Sequence, residues 1–290
     1  MKTSVSILSI LIMLNITFSY AQGFYGPTRT DHVMLHSTGS VSLLDYKSID
    51  SKSSISPNIG VGVEYAHFFG KNFGLSIGAE LTSFSSYYRF NGRRDSLELF
   101  DNWSSRYYKL RQNLTTLEHQ RVTYLSIPAK LNFRRRLAPQ LTFHASAGAA
   151  YTVYLTEKQS VVAGTIDRQA FFGDIFVNID DFRPLMFGKF NDFINPSSQK
   201  QFTKTLLGIA QLGVSFNIAK DWDMHTELNF QYGFENIKLR NINILVPDEY
   251  SGVTATNYIG NILPMSVGLR VGVTYKFDLF NVGCMCDEGW

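Results

Sequence analysis

Two short stretches carry residue types that could do covalent chemistry. His144-Ala145-Ser146 puts an imidazole and a hydroxyl on one face of an extended chain, as a nucleophile and its base require. Asp223 and His225 also share a face, as a base and its orienting carboxylate would. Both pairs lie beside short turns, on the side of the strand that carries charge. No carboxylate and His are paired at the outer rim. These four residues are therefore expected to pack an interior, and no catalytic residue is assigned. The six His show no metal-ligand spacing, and the glycines alternate within strands rather than forming a phosphate loop. No cofactor and no metal are expected.

Charge is the second chemical signal. Glu64, Glu80, Lys130, Arg134, Asp223, Glu227, Arg270 and Lys276 all recur on the non-apolar side of alternating segments. Facing an interior, such charges must pair, because an unpaired one costs several kcal/mol. Two uses follow: a salt-bridged plug, or a narrow ion path.

Those residues are positioned by a repeated unit. From Ile59 to Phe84 apolar residues recur at every second position on both arms of a hairpin that turns at Gly70-Lys71-Asn72. This is the period of a strand. Ile59, Val61, Val63 and Tyr65, then Phe73, Leu75, Ile77, Ala79 and Leu81, share one face. Each arm has the ten or so residues that cross a bilayer when tilted. The pattern reads as apolar side chains toward lipid, with Glu64 and Glu80 inside a barrel.

The unit repeats over 33–46, 119–134, 141–155, 206–218, 222–234 and 262–279. Pro128 has no N–H to give the ladder, so a bulge or bend is expected there. A Ser-rich loop is expected at 47–56, a polar connection at 91–118, the longest connection at 156–205, and another at 235–261. Long and short connections alternate, as in an outer-membrane barrel with external loops and short periplasmic turns. The expected fold is all-β: an eight-stranded antiparallel up-and-down transmembrane β-barrel over 33–279. Tyr65, Phe68, Phe73, Trp222, Tyr232, Tyr275 and Phe277 supply aromatics at strand ends. A soluble lipocalin-like barrel is the alternative, but it has no need of apolar faces this long.

Totals agree. The 290 residues hold 23 Phe and 15 Tyr, only 18% are charged, and net charge is +3. Scattered Lys and Arg give no support for nucleic-acid binding. Lys2, an apolar core to Phe18 and Ser19-Tyr20-Ala21 read as a signal peptide over 1–21, with a leader at 22–32. The expected localisation is the cell outer membrane, with membrane lipid as surroundings.

The connection at 156–205 holds Phe171, Phe172, Phe176, Phe182, Phe187, Phe190 and Phe193. Exposed, they would mark a partner surface; packed, they would hold the loop on itself or on the rim. Cys284 and Cys286, in the tail 280–290, are too close for a comfortable disulfide and too few for a metal site, leaving an intermolecular bond or partner contact.

Tyr124-Leu125-Ser126-Ile127-Pro128-Ala129-Lys130-Leu131 resembles the Tyr-Leu-Glu-Ile-Pro strand of the PorT-like family of small outer-membrane β-barrels of Gram-negative Bacteroidota. The hairpin from Asn58 and the closing Leu269-Arg-Val-Gly-Val-Thr-Tyr-Lys-Phe fit the same resemblance; Ser126 stands where the family often has Glu. The resemblance implies an outer-membrane barrel, and one member type is tied to type IX protein secretion. The expected function is non-catalytic: an anchor, scaffold or accessory subunit with a protein partner at 156–205 or at the tail. A narrow channel is the second reading. A lipid-modifying or proteolytic barrel, carried by His144 or His225, is the third.

Overall fold

The computed structural model describes residues 30–47, 51–69, 71–90, 94–102, 104–182, 187–191, 201–241, 252–256 and 259–278. The segment read as a signal peptide, Phe193, Cys284 and Cys286 lie outside them.

Eight strands close a ring by antiparallel pairing of neighbours. They are β1 (Asp31–Tyr46), β2 (Ser51–Phe69), β3 (Phe73–Phe90), β5 (Arg106–Ala138), β6 (Leu141–Phe172), β9 (Leu206–Ala219), β10 (Trp222–Gly233) and β11 (Ile262–Phe277). The ring shuts where β1 meets β11, from Asp31 opposite Phe277 to Tyr46 opposite Ile262. Three short strands lie outside the ring: β4 (Arg94–Asp101) on β5, and β7 (Val177–Ile179) and β8 (Gly188–Phe190) on β6.

Alternation decides the two faces. Leu35, Ile59, Val63, Leu75, Leu131, Leu212, Leu228 and Leu269 are exposed on the outer wall, where lipid covers them. Their neighbours in sequence point inward and are buried. Phe68 departs from the expected aromatic rim. Its position has inward parity, it is 3% exposed, and the Arg134 guanidinium lies 3.8 Å over its ring.

The connections differ most from expectation. Residues 51–56 are strand, not a Ser-rich loop, and most of 91–118 is β4 and the upper part of β5. The first third of 156–205 continues β6 to Phe172. β5 and β6 stay paired from Ala138–Leu141 up to Lys109–Phe171, so they rise as a ribbon far above the lipid-facing band. From Leu125, where the continuous apolar outward run of β5 ends, to Arg106 the strand runs on the order of 60 Å.

Pro128 causes no bulge. It stays opposite Ala150 on β6, and the β3–β5 register is the same on either side of it. A proline needs only a place where no ladder donor is missed, and the pairing skipped at Gly78 and Ala79 provides one. The bulges fall higher on β6, at the exposed residues Leu155 and Val162, which have no opposite number on β5.

The outer half of the lumen holds an apolar core, with a buried polar cluster of Glu118, Gln120 and Thr254 beside it. Leu44, Phe84, Tyr88, Tyr124, Leu207 and Ile262 form a buried core inside the barrel. Phe202, Ile237 and Ile259 cap it from the extracellular segments. Lys238 clamps that cap: its Nζ donates to the Thr256 and Ile259 carbonyls, both at 2.5 Å, and burial holds the ammonium below its usual range. Gly252 has φ +84°, a backbone that side-chain-bearing residues rarely adopt, and a Cβ there would also push Gln159 Nε2 aside.

Candidate functional site

Two regions carry functional groups: the charged lower lumen and the extracellular ribbon.

In the lower lumen the inward positions of five strands converge. Lys130 Nζ of β5 lies 2.7 Å from Glu64 Oε2 of β2 and 2.6 Å from Gln211 Oε1 of β9. Arg270 of β11 bridges two carboxylates, Glu80 Oε2 of β3 at 2.6 Å and Glu64 Oε2 at 3.5 Å. All four ionised side chains are 2–3% exposed. Nearer the periplasm, Lys276 pairs with Asp223 at 2.8 Å. Arg134 donates from Nε to the Lys71 carbonyl at 3.0 Å and sits 2.8 Å from His32 Nε2. Glu227 faces the same interior but joins no ion pair among the described residues.

The network leaves a cavity of about 30 Å³, bordered by His36, Glu64, Asn132, Glu227 and Arg270. That is room for a water or two and not for a solute. Sequence reasoning missed His32 and His36, which enter this interior from β1. Strict alternation with Val33 and Leu35 could have shown them.

The candidate catalytic pairs are not brought together. His144 Nε2 lies 2.7 Å from Ser215 Oγ, while Ser146 donates to Gln211 at 2.8 Å. Asp223 is taken by Lys276 and by Asn217 Nδ2 at 3.1 Å, and His225 Nδ1 meets Thr274 Oγ1 at 3.0 Å. A carboxylate–imidazole pair exists elsewhere: Asp31 Oδ1 and His67 Nδ1 are 2.8 Å apart on the outer wall at the periplasmic end. Among the described residues no three His, Cys, Asp or Glu side chains converge to hold a metal ion.

The ribbon splits the Phe cluster. Phe172 and Phe187 are buried with Leu110 and Ala170, against Tyr108 and Ile179. That burial raises the Tyr108 hydroxyl above its usual range and lowers the neighbouring Arg168 guanidinium. Phe171 is half-buried under Arg111, 5.2 Å from its ring, and Phe190 is half-buried on β8. Phe176 and Phe182 are exposed, at 84% and 47%.

Two hairpin tips stand side by side at the top. The β4–β5 turn and the β6–β7 turn are joined by Arg106 and Asp174 at 2.8 Å. Ser105 and Phe176 each take φ 53°, a left-handed backbone that costs a bulky residue on the order of 1 kcal/mol or more. Phe100 and Tyr107, cross-strand partners with rings 5.0 Å apart, extend the apolar surface with Ile175. Their signal in sequence is Leu-Phe-Asp and Arg-Tyr-Tyr on either side of a tight turn.

The strand ring and its lipid-facing wall define an outer-membrane β-barrel. The model of the outer membrane protein beta-barrel domain family matches residues 20–239, and the chain belongs to that family. No curated protein matches it. Among solved structures, OprG from Pseudomonas aeruginosa is similar at 12% identity and TM-score 0.41, covering 88% of this chain and 100% of its own. Neisserial surface protein A is similar at 10% identity and TM-score 0.37, covering 85% and 97%. The attachment invasion locus protein Ail of Yersinia pestis, solved with a heparin analogue, reaches 8% identity and TM-score 0.31, covering 85% and 99%. Likenesses this low carry no argument about what the chain does.

Proposed function

We propose that this chain is a non-catalytic outer-membrane barrel that works as an anchor, scaffold or accessory subunit, through the ribbon it raises outside the membrane. The observation that carries this reading is the pair of tips: Phe100, Tyr107, Ile175 and Phe176 exposed together, with the Arg106–Asp174 pair fixing their spacing. Apolar side chains exposed together in water, with Phe176 among them on a left-handed backbone, favour a protein partner that covers them. The filled lumen supports the same reading, since it offers no route for a solute. The PorT-like resemblance makes type IX secretion a lead for the partner.

The test isolates the intact protein from outer membranes in mild detergent, beside a Phe100→Ser/Tyr107→Ser/Phe176→Ser variant. A stoichiometric partner present with the unaltered protein and lost with the variant is expected. A monomer in both preparations would overturn the proposal. The second reading, a narrow channel, draws on the charged cavity of the lower lumen. It requires a conductance that changes when Arg270 or Glu227 is neutralised.

A further inference from the structure

The outer wall is not uniform. Over β2, β3, β5 and β6 it carries a groove of about 670 Å³, floored by Ala129, Ala147 and Gly148 and walled by Tyr65, Leu75 and Leu131. The floor is low because Ala129 and Ala147 present only methyl groups outward, while Gly148 has inward parity and no side chain. His67 borders the groove with its Nδ1 engaged by Asp31, which also accepts from Tyr65 at 2.6 Å. These polar groups mark the depth at which the apolar wall gives way to the interface.

Directly below, the same four strands turn through the most basic part of the periplasmic rim. Residues 70–72 and 134–140 hold Lys71, Arg134, Arg135 and Arg136 and no carboxylate. The remaining turn, by contrast, sets Asp221 beside Lys220. Lys71 and Arg135 are exposed. Arg134 holds their two turns together, its backbone N–H bonding the Asn72 carbonyl at 2.7 Å and its Nε the Lys71 carbonyl at 3.0 Å. Phe69, Phe73 and Phe133 lie between the groove and the cations, where an aromatic belt sits at a membrane interface.

An apolar groove facing the bilayer, ending at a belt with the exposed cations Lys71 and Arg135 beneath it, matches one kind of molecule in shape and charge. We propose that this quadrant binds an anionic glycerophospholipid of the periplasmic leaflet, with one acyl chain in the groove and its phosphate on Lys71 and Arg135. The site is independent of the ribbon and of any partner there.

The test is native mass spectrometry of the full protein released from vesicles of equal phosphatidylglycerol and phosphatidylethanolamine. One phosphatidylglycerol is expected to stay bound in preference to phosphatidylethanolamine. In Lys71→Ser/Arg135→Ser that preference should fall about thirty-fold, from about 1 kcal/mol for each cation near a membrane surface. Ala147→Phe, on the lipid-facing wall, should lose the retained lipid while the barrel keeps its heat-modifiable gel mobility. Equal retention of the two lipids, or a preference unmoved by the double substitution, would overturn the proposal. So would a dimer of the unaltered protein that Ala147→Phe dissolves, because the groove would then seat a second copy.

Discussion

Arg270 has more at stake than any other lumen side chain, because it faces two buried carboxylates. Arg270→Met leaves the His36 imidazole, 3.8 Å away, as the nearest remaining partner of Glu80 among the described residues. Breaking such a pair is expected to cost about 3–5 kcal/mol, read by urea unfolding in vesicles, and adding Glu80→Gln should recover much of it. A loss under about 1 kcal/mol would mean the network does not hold the wall. His119 sits above the lipid-facing band, 3.4 Å from Ser56 Oγ and tilted on the Tyr87 ring. Burial, then Arg121 and Lys158, lower its pKa. The unfolded chain then takes up the proton first, so ribbon stability is full above the ordinary His value and falls as pH drops below about 6.5. Replacing His119 with Gln should flatten that dependence in a protease-resistance profile. Parity in the sequence said which side each of these residues takes. It could not say that Arg134 would lie over Phe68, since partners across a barrel come from strands distant in the chain.

The spanning parts of the strands were legible because lipid demands a long, unbroken apolar face. The upper parts of β5 and β6 were not, because water lies on their outer face and their inner face mixes Leu110 and Leu114 with Gln112 and Thr116. Without a continuous apolar stripe, two-residue periodicity fades and a strand reads as a polar loop. Amide exchange separates the two descriptions. Residues 106–122 and 157–172 should open with free energies of about 3 kcal/mol or more, against values near zero for a mobile loop. Exchange at loop rates through both stretches would refute the ribbon. Gly252→Ala should loosen the cap next to it, speeding exchange at Thr254 and Ile259 while the spanning strands stay protected.

At the scale of the whole molecule the barrel is shut twice. Ion pairs fill the periplasmic half and an aromatic and aliphatic core fills the outer half. Eight strands enclose only enough space for such side chains. In planar bilayers the protein should show no unitary current above baseline. A steady conductance altered by Arg270→Met would put the channel reading in first place. The charged layer was foreseeable from inward Glu, Lys and Arg; the outer core was not, because segments far apart in sequence supply Phe202, Ile237 and Ile259 to it.

β5 and β6 stay paired from the periplasmic turn to Lys109 and Phe171 near the tips, with bulges that shift the register but do not end the pairing. Their hydrogen bonds lie across the direction of the strands. A load applied at Phe100 or Phe176 would therefore pull the ladder in shear, with many bonds resisting at once instead of parting one after another. The ribbon is mechanically continuous with the wall that crosses the full thickness of the membrane.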